Sequence, residues 1–322
     1  MRIAVVDIAR AQADALRRLL PGEDIVELTD MDAPVDGLDV LMASRFGTAE
    51  GERMRFRLLQ VPGAGIDKIA LTAVPPEATV CNAYEHEGPI AEYVFAAMLE
   101  ATVGLTALAR EIPEKGWARA YFSRQPHGEL AMKTVGLIGL GHIGKAVARR
   151  AKAFDMRVMA VAARPRLGEA NVDWMATGEG LADLLAAADF VVVACPLSEA
   201  TRGMIGAGEL KRMKRSAILI NVARAEIVAE EALFAALKAG AVAGAVLDPW
   251  YGYPASATDP AEPSRFPFAS LANVRMTPHA SAWTAEVWQR RVKFFADNIT
   301  RLKEGRPHLN VVRAPAGTVR FG

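Results

Sequence analysis

The chain has 322 residues, 52% of them apolar, and a formal net charge of +1. That length and apolar content suit about two domains with substantial cores, and the balanced charge speaks against a nucleic acid or an anionic membrane as partner. The two cysteines, Cys81 and Cys195, sit in apolar, strand-like settings and read as free thiols of a reducing compartment, not as a disulfide.

Residues 1–7, MRIAVVD, form a strand too short for a signal-peptide core. No apolar run approaches the roughly 20 residues that cross a bilayer, so a cytoplasmic location is expected. Residues 2–8, 25–28, 40–44, 58–61 and 79–82 read as short apolar strands separated by helical or turn-rich segments, which makes a first α/β unit. Gly63, Ala64 and Gly65 follow its fourth strand; there glycines permit close approach to backbone N–H groups. His86-Glu87 does not open a metal-binding H-E-x-x-H, because Ile90 stands where the second histidine belongs, and no metal is expected. Residues 112–130 form a long segment with Trp117, Tyr121 and Phe122 among charged residues.

Residues 134–147, TVGLIGLGHIGKAV, carry the strongest signal. An apolar run at 135–138 reads as a buried parallel strand. Gly139, Gly141 and Gly144 follow at G-x-G-x-x-G spacing, and residues 145–154 read as an amphipathic helix. This order suits a dinucleotide pyrophosphate: a tight turn, a backbone the phosphates can approach, close helix–strand packing, and free N–H groups at a helix N-terminus. The next strand, 156–163, ends in Ala162 and Ala163 where an NAD-binding domain would place a carboxylate for the ribose hydroxyls. Arg164, Pro165 and Arg166 come next. A guanidinium can pair with a 2′-phosphate that a carboxylate would repel, so NADP(H) is the expected cofactor, with NAD(H) possible.

Further strands are expected at 190–197, 217–224, 245–248 and 274–279, with the longest candidate loop at 254–267. Arg224, Asp248 and His279 fall at or just after strand ends, where an open α/β sheet has its ligand crevice.

Taken in order, VPGAGID (61–67), AEYVFAAML (91–99), VGLIGLGHIG (135–144), CPLSEATRGMIG (195–206), NVARAEIV (221–228) and TPHAS (277–281) resemble the D-isomer-specific 2-hydroxyacid dehydrogenases, of the NADPH-dependent glyoxylate/hydroxypyruvate-reductase kind, over nearly the whole chain. The resemblance implies an α/β fold in which a Rossmann doubly wound parallel sheet, residues 100–282, is inserted into a flavodoxin-like α/β substrate domain, residues 1–99 and 283–322. It implies an oxidoreductase that moves a hydride between NADP(H) and a 2-oxo acid or D-2-hydroxy acid. Arg224 would bind the carboxylate and polarise the ketone, and His279 would be the acid–base group. Ala64, Gly65, His86 and Tyr253 would complete the substrate site. His142, Ile143, Cys195, Pro196, Thr201, Val222, Ala223 and Asp248 would join the glycines and Arg164 around the cofactor, with Asp248 orienting its nicotinamide end. Residues 112–130 would be the arm of a homodimer.

Two departures stand out. Most relatives have a glutamate five residues after the aspartate, beside the histidine; here that place holds Tyr253. Formate dehydrogenases, which carry a glutamine there, supply a second reading, and they have a substrate-contacting asparagine where His86 falls. A nucleotide-sensing regulator on the same fold is a third, against which the presence of both Arg224 and His279 argues. Trp250, Tyr251, Tyr253, Trp283 and Trp288 are candidates for an apolar substrate pocket.

Overall fold

The structure is a computed structural model and describes residues 1–164, 168–254 and 256–316. Its contacts divide the chain into two units, Met1–Glu85 with Trp283–Gly322, and His86–Ala282.

In the first unit, strands β1 (Arg2–Val5), β2 (Asp24–Glu27), β3 (Leu38–Met42), β4 (Leu58–Gln60), β5 (Thr79–Cys81) and β13 (Val311–Arg313) form one sheet in the order β13-β5-β4-β3-β1-β2. All pairs are parallel except β13 with β5. The order 2-1-3-4-5 of the first five strands is the flavodoxin-like winding. Side chains alternate between two cores, as a strand's two-residue period requires. Ile3, Val5, Val40, Met42 and Leu58 pack with helix α1 (Ala13–Leu19) and with Val292, Phe295 and Ile299 of helix α10 (Ala285–Glu304). Ala4, Leu41, Leu59 and Val80 face Met31, Phe46, Met54 and Phe56, the last two flanking the end of helix α2 (Thr48–Arg53).

The C-terminal helix α10 belongs to this unit for a visible reason. Its apolar residues recur every three or four positions and form one buried stripe. The Thr284 hydroxyl caps its start by accepting Val287 N–H, and Gly305, at φ +66°, ends it. Within the stripe, buried Asn298 donates to Gln60 Oε1 at 2.9 Å and accepts from Leu309 N–H at 2.8 Å, tying the two chain segments together.

The second unit carries β6 (Thr134–Ile138), β7 (Arg157–Val161), β8 (Trp174–Ala176), β9 (Phe190–Val193), β10 (Ile218–Asn221), β11 (Gly244–Leu247) and β12 (Val274–Met276) in the order β12-β11-β10-β9-β6-β7-β8. All neighbours are parallel. The order is that of a Rossmann fold, with the winding reversing between β6 and β9. The central strands are buried along their length, as expected of a parallel sheet covered on both faces. Helices α7 (Leu181–Ala187), α8 (Ala207–Arg212) and α9 (Glu230–Lys238) place Leu184, Leu210, Leu233 and Leu237 in the core of one face. Helix α6 (His142–Ala153) and helix α3 (Glu87–Val103) cover the other.

Helix α3 corrects the expected domain boundary. The family resemblance places residues 86–99 in the first domain, yet Ile90, Ala91, Val94, Phe95 and Met98 pack with Val147, Ala148 and Ala151 of α6 in the core of the second unit. The segment expected as an arm is mostly helical: α4 (Leu105–Lys115) buries no residue and α5 (Trp117–Ser123) buries only Ala120. Among the described residues, no single helix is long and apolar enough to cross a membrane.

Candidate active site

The glycine-rich turn has the geometry its spacing implies. Gly139 follows β6 at φ +102°, and a Cβ there would lie 2.7 Å from Cys195 N. Two constraints, a left-handed backbone and a neighbouring strand end, therefore hold this position to glycine. A Cβ on Gly144 would lie 2.3 Å from the Gly139 carbonyl oxygen, so helix α6 sits on β6 only because that methyl is missing. Gly141, which precedes α6, meets nothing within 4 Å. Its missing side chain leaves open space above a helix N-terminus whose first N–H groups have no partner within the helix. His142 is exposed at this end and Ile143 half-buried. These residues fit a dinucleotide phosphate.

After β7, Ala162 is half-buried and Ala163 and Arg164 are exposed, while Pro165 and Arg166 lie outside the described residues. Lys145, in the first turn of α6, pairs with Glu169. After β9, the Thr201 hydroxyl closes the next loop, donating to Pro196 O at 2.8 Å and accepting Ser198 N–H at 2.8 Å. Burial pushes the Cys195 thiol up to about 11, so it stays protonated.

At the end of β10, the Asn221 side chain folds the chain back on itself: Oδ1 accepts Ala223 N–H and Nδ2 donates to Arg224 O. This turn carries Val222, Ala223 and half-buried Arg224, whose Nη1 donates to Ala223 O at 2.8 Å.

Asp248, at the end of β11, is 0% exposed. Its Oδ1 accepts from Thr277 Oγ1 at 2.6 Å and from Ala280 N–H at 2.7 Å, and its Oδ2 accepts Ser281 N–H at 3.0 Å. Its carbonyl accepts His279 N–H. Both carboxylate oxygens are thus turned onto residues 277–281. That hold matters because His279 has φ +56°, a left-handed conformation costing roughly 1–3 kcal/mol in a non-glycine residue.

His279 Nδ1 lies 2.8 Å from the Tyr253 hydroxyl, which also accepts Trp250 N–H at 3.1 Å. Tyr253 is 47% exposed; partial burial raises the phenol above its ordinary value, while the hydrogen bond from Trp250 N–H and nearby Arg224 act in the opposite sense. Arg224, Asp248, Tyr253 and His279 thus gather at the carboxyl ends of β10, β11 and β12. Trp250 is core, donating Nε1–H to Thr277 O, and Tyr251 donates to Val228 O. Trp283 and Trp288 stack edge to face in the first unit.

Two contributors escaped the sequence reading. Tyr93, on α3, lies 2.7 Å from Thr277 Oγ1. The Thr277 proton is committed to the acceptor-only carboxylate of Asp248, so Tyr93 is the donor in this pair. Thr277 is the other; its only signal was its place in T-P-H. A cavity of about 310 Å³ includes Tyr93 and Thr277 but neither Arg224 nor His279, so it is not the crevice that holds the catalytic candidates.

In the first unit, Ala64 O accepts from Asn82 Nδ2 at 2.8 Å and Gly63 O accepts Ala83 N–H, which pins the loop before exposed Gly65. His86 is 8% exposed and precedes α3.

Residues 95–281 match the family described as D-isomer specific 2-hydroxyacid dehydrogenase, NAD binding domain. A glyoxylate reductase of Korarchaeum cryptofilum is 33% identical over 307 residues, covering 92% of this chain and 87% of the relative. A D-isomer specific 2-hydroxyacid dehydrogenase from Xanthobacter autotrophicus, solved with NADPH and MES, superposes with a TM-score of 0.78 at 28% identity, covering 97% of this chain and 98% of that one. An NAD-dependent formate dehydrogenase from Staphylococcus aureus gives a TM-score of 0.77 at 22% identity, covering 98% of this chain and all of the other, and shares the fold.

Proposed function

The chain belongs to the D-isomer specific 2-hydroxyacid dehydrogenase family of NAD(P)-dependent enzymes, and from that premise we propose that it reduces a small 2-oxo acid of the glyoxylate or hydroxypyruvate kind, with NADP(H) preferred. The observation that carries this reading is the grouping of Arg224 and His279 at the strand ends of the sheet that also bears the glycine turn. A bound reduced nicotinamide would supply the hydride. Arg224 would hold the substrate carboxylate and draw electron density from the ketone oxygen with its planar guanidinium. His279 would give that oxygen a proton from Nε2, and in the reverse direction take it back. Asp248 holds the histidine backbone, and exposed Arg164 with no neighbouring strand-end carboxylate favours a 2′-phosphate.

The test is oxidation of NADPH and NADH across small, aliphatic and aromatic 2-oxo acids. His279→Ala should lower kcat about 100-fold or more while leaving dinucleotide affinity nearly unchanged. Arg224→Ala should also raise KM, because it holds the ground-state carboxylate. Near-normal turnover of His279→Ala would remove His279 from its role. A formate-dehydrogenase-like reaction is the second reading, favoured by the tyrosine that stands beside His279 where a carboxylate is usual; formate with either oxidised cofactor belongs in the same panel.

The working form would be a cytoplasmic homodimer joined through α4 and α5. On these helices Leu105, Trp117 and Phe122 are 67%, 65% and 86% exposed, a concentration of bare apolar surface that a second copy would cover. A monomer mass by light scattering at micromolar concentration would count against it.

A further inference from the structure

Resting on the reading of His279 as the acid–base group, we propose that Tyr253 is a positioning residue that holds neutral His279 in the tautomer with its proton on Nε2. The neutral ring then meets the substrate as an N–H donor and not as a base. The Tyr253 oxygen lies 2.8 Å from His279 Nδ1 and accepts Trp250 N–H at 3.1 Å. A hydroxyl has one proton to give and two lone pairs to offer. Trp250 takes one lone pair. Toward Nδ1 two arrangements remain: the phenol O–H donates to the ring nitrogen, or the ring N–H donates to the second lone pair.

The first arrangement is the stronger. A phenol is a better acid than the N–H of a neutral imidazole, and an imidazole nitrogen is a better base than a phenol oxygen. The Trp250 N–H works in the same sense, since a hydrogen bond accepted at the oxygen polarises O–H and improves it as a donor. Among the described residues, charged groups acting on the phenol include Arg224, Asp248 and Glu226. Of these, Asp248 spends its carboxylate on Thr277, Ala280 and Ser281. Burial keeps the phenol protonated throughout the range in which a histidine titrates.

A carboxylate in place of Tyr253 would give the opposite tautomer. It can only accept, so it would take a proton on Nδ1 and leave Nε2 bare, ready to act as a base. With Tyr253, neutral His279 can still donate to the oxygen of an oxo acid. Taking a proton from a hydroxy acid first requires the ring proton to leave Nε2 and Nδ1 to gain one. The side chain at 253 thus tunes the site toward binding oxo acids above the His279 pKa.

The test is nitrogen-15 NMR of the full-length protein with labelled histidine, His279→Gln serving to identify the resonances. Above the His279 pKa, the wild-type ring should show a protonated Nε2 and a bare, hydrogen-bonded Nδ1. Tyr253→Glu should reverse the two, and Tyr253→Phe should remove the hydrogen-bond shift at Nδ1. Measured above each enzyme's own pKa, KM for the oxo acid should be about threefold to tenfold higher in Tyr253→Glu than in the wild type, the worth of one neutral hydrogen bond. A wild-type ring protonated on Nδ1 overturns the proposal, and this reading needs no variant at position 253 to fold. The readout is independent of turnover, so an enzyme inactive on every 2-oxo acid would refute the catalytic reading while leaving the tautomer assignment to the spectrum.

Discussion

Asp248→Ala should destabilise the second unit by about 3–5 kcal/mol and slow turnover sharply, although the aspartate touches no reactant in this reading. The carboxylate is fully buried and accepts three hydrogen bonds of 2.6, 2.7 and 3.0 Å. Bonds to a charged acceptor contribute about 1.5–3 kcal/mol each, but they share one carboxylate and do not add. Alanine would strand two backbone N–H groups, at Ala280 and Ser281, at roughly 1–3 kcal/mol apiece, with a water in the vacated space recovering part. It would also release His279 from φ +56°, so the imidazole would drift, and an ångström of misplacement can cost about 100-fold in rate. Asp248→Asn keeps the shape and one good acceptor but turns an amide N–H₂ toward a donor; a loss of about 2–3 kcal/mol is expected. In a unit of this size each kcal/mol moves the midpoint by roughly 2–4 °C, so the alanine variant should melt about 6–20 °C lower by calorimetry without cofactor. A midpoint within about 4 °C of the wild type would falsify the view that this carboxylate holds the histidine loop.

The two glycines of the turn should respond differently. Gly144→Ala, driven against a carbonyl at 2.3 Å, should cost about 1–3 kcal/mol of stability, whereas Gly141→Ala, facing open space, should cost at most about 1 kcal/mol yet weaken dinucleotide binding. Equal effects of Gly141→Ala on melting and on binding would place the phosphates elsewhere. Arg164→Ala should weaken NADPH by about 1.5–3 kcal/mol and NADH little, as read by calorimetric titration; equal losses would make Arg164 a bystander. Burial alone would raise Glu230, but hydrogen bonds from Arg265 N–H, Arg265 Nε and Ser264 hold its carboxyl below the ordinary value. A depressed folded pKa gives stability that is present above the unfolded value near 4.3 and is lost as pH falls through the folded one. Glu230→Gln should therefore be less stable at neutral pH and lose less on acidification, and parallel pH–stability curves for the two proteins would contradict this.

The parts of this protein legible without coordinates are those written over a few neighbouring residues. A buried strand, three glycines at fixed spacing and an amphipathic helix are a local pattern, and the structure shows them as β6, the Gly139 turn and α6. The apolar runs of both sheets were legible for the same reason, although they overran: β10 stops at Asn221 and β12 at Met276, because the Asn221 turn and the Asp248 clamp then take over the backbone. Which core a helix fills is not a local property. The apolar residues of α3 say only that it packs against something, and tertiary contact with α6 decided the unit. The roles of Tyr93, Thr277 and Asp248 were hidden likewise, since their bonds join residues 29 and 184 positions apart in sequence. Spacing from Asp248 singled out Tyr253 as the residue in the carboxylate's place. The 2.8 Å contact with His279 exists only because the loops after two adjacent parallel strands close over the same crevice, and only the folded sheet brings those loops together.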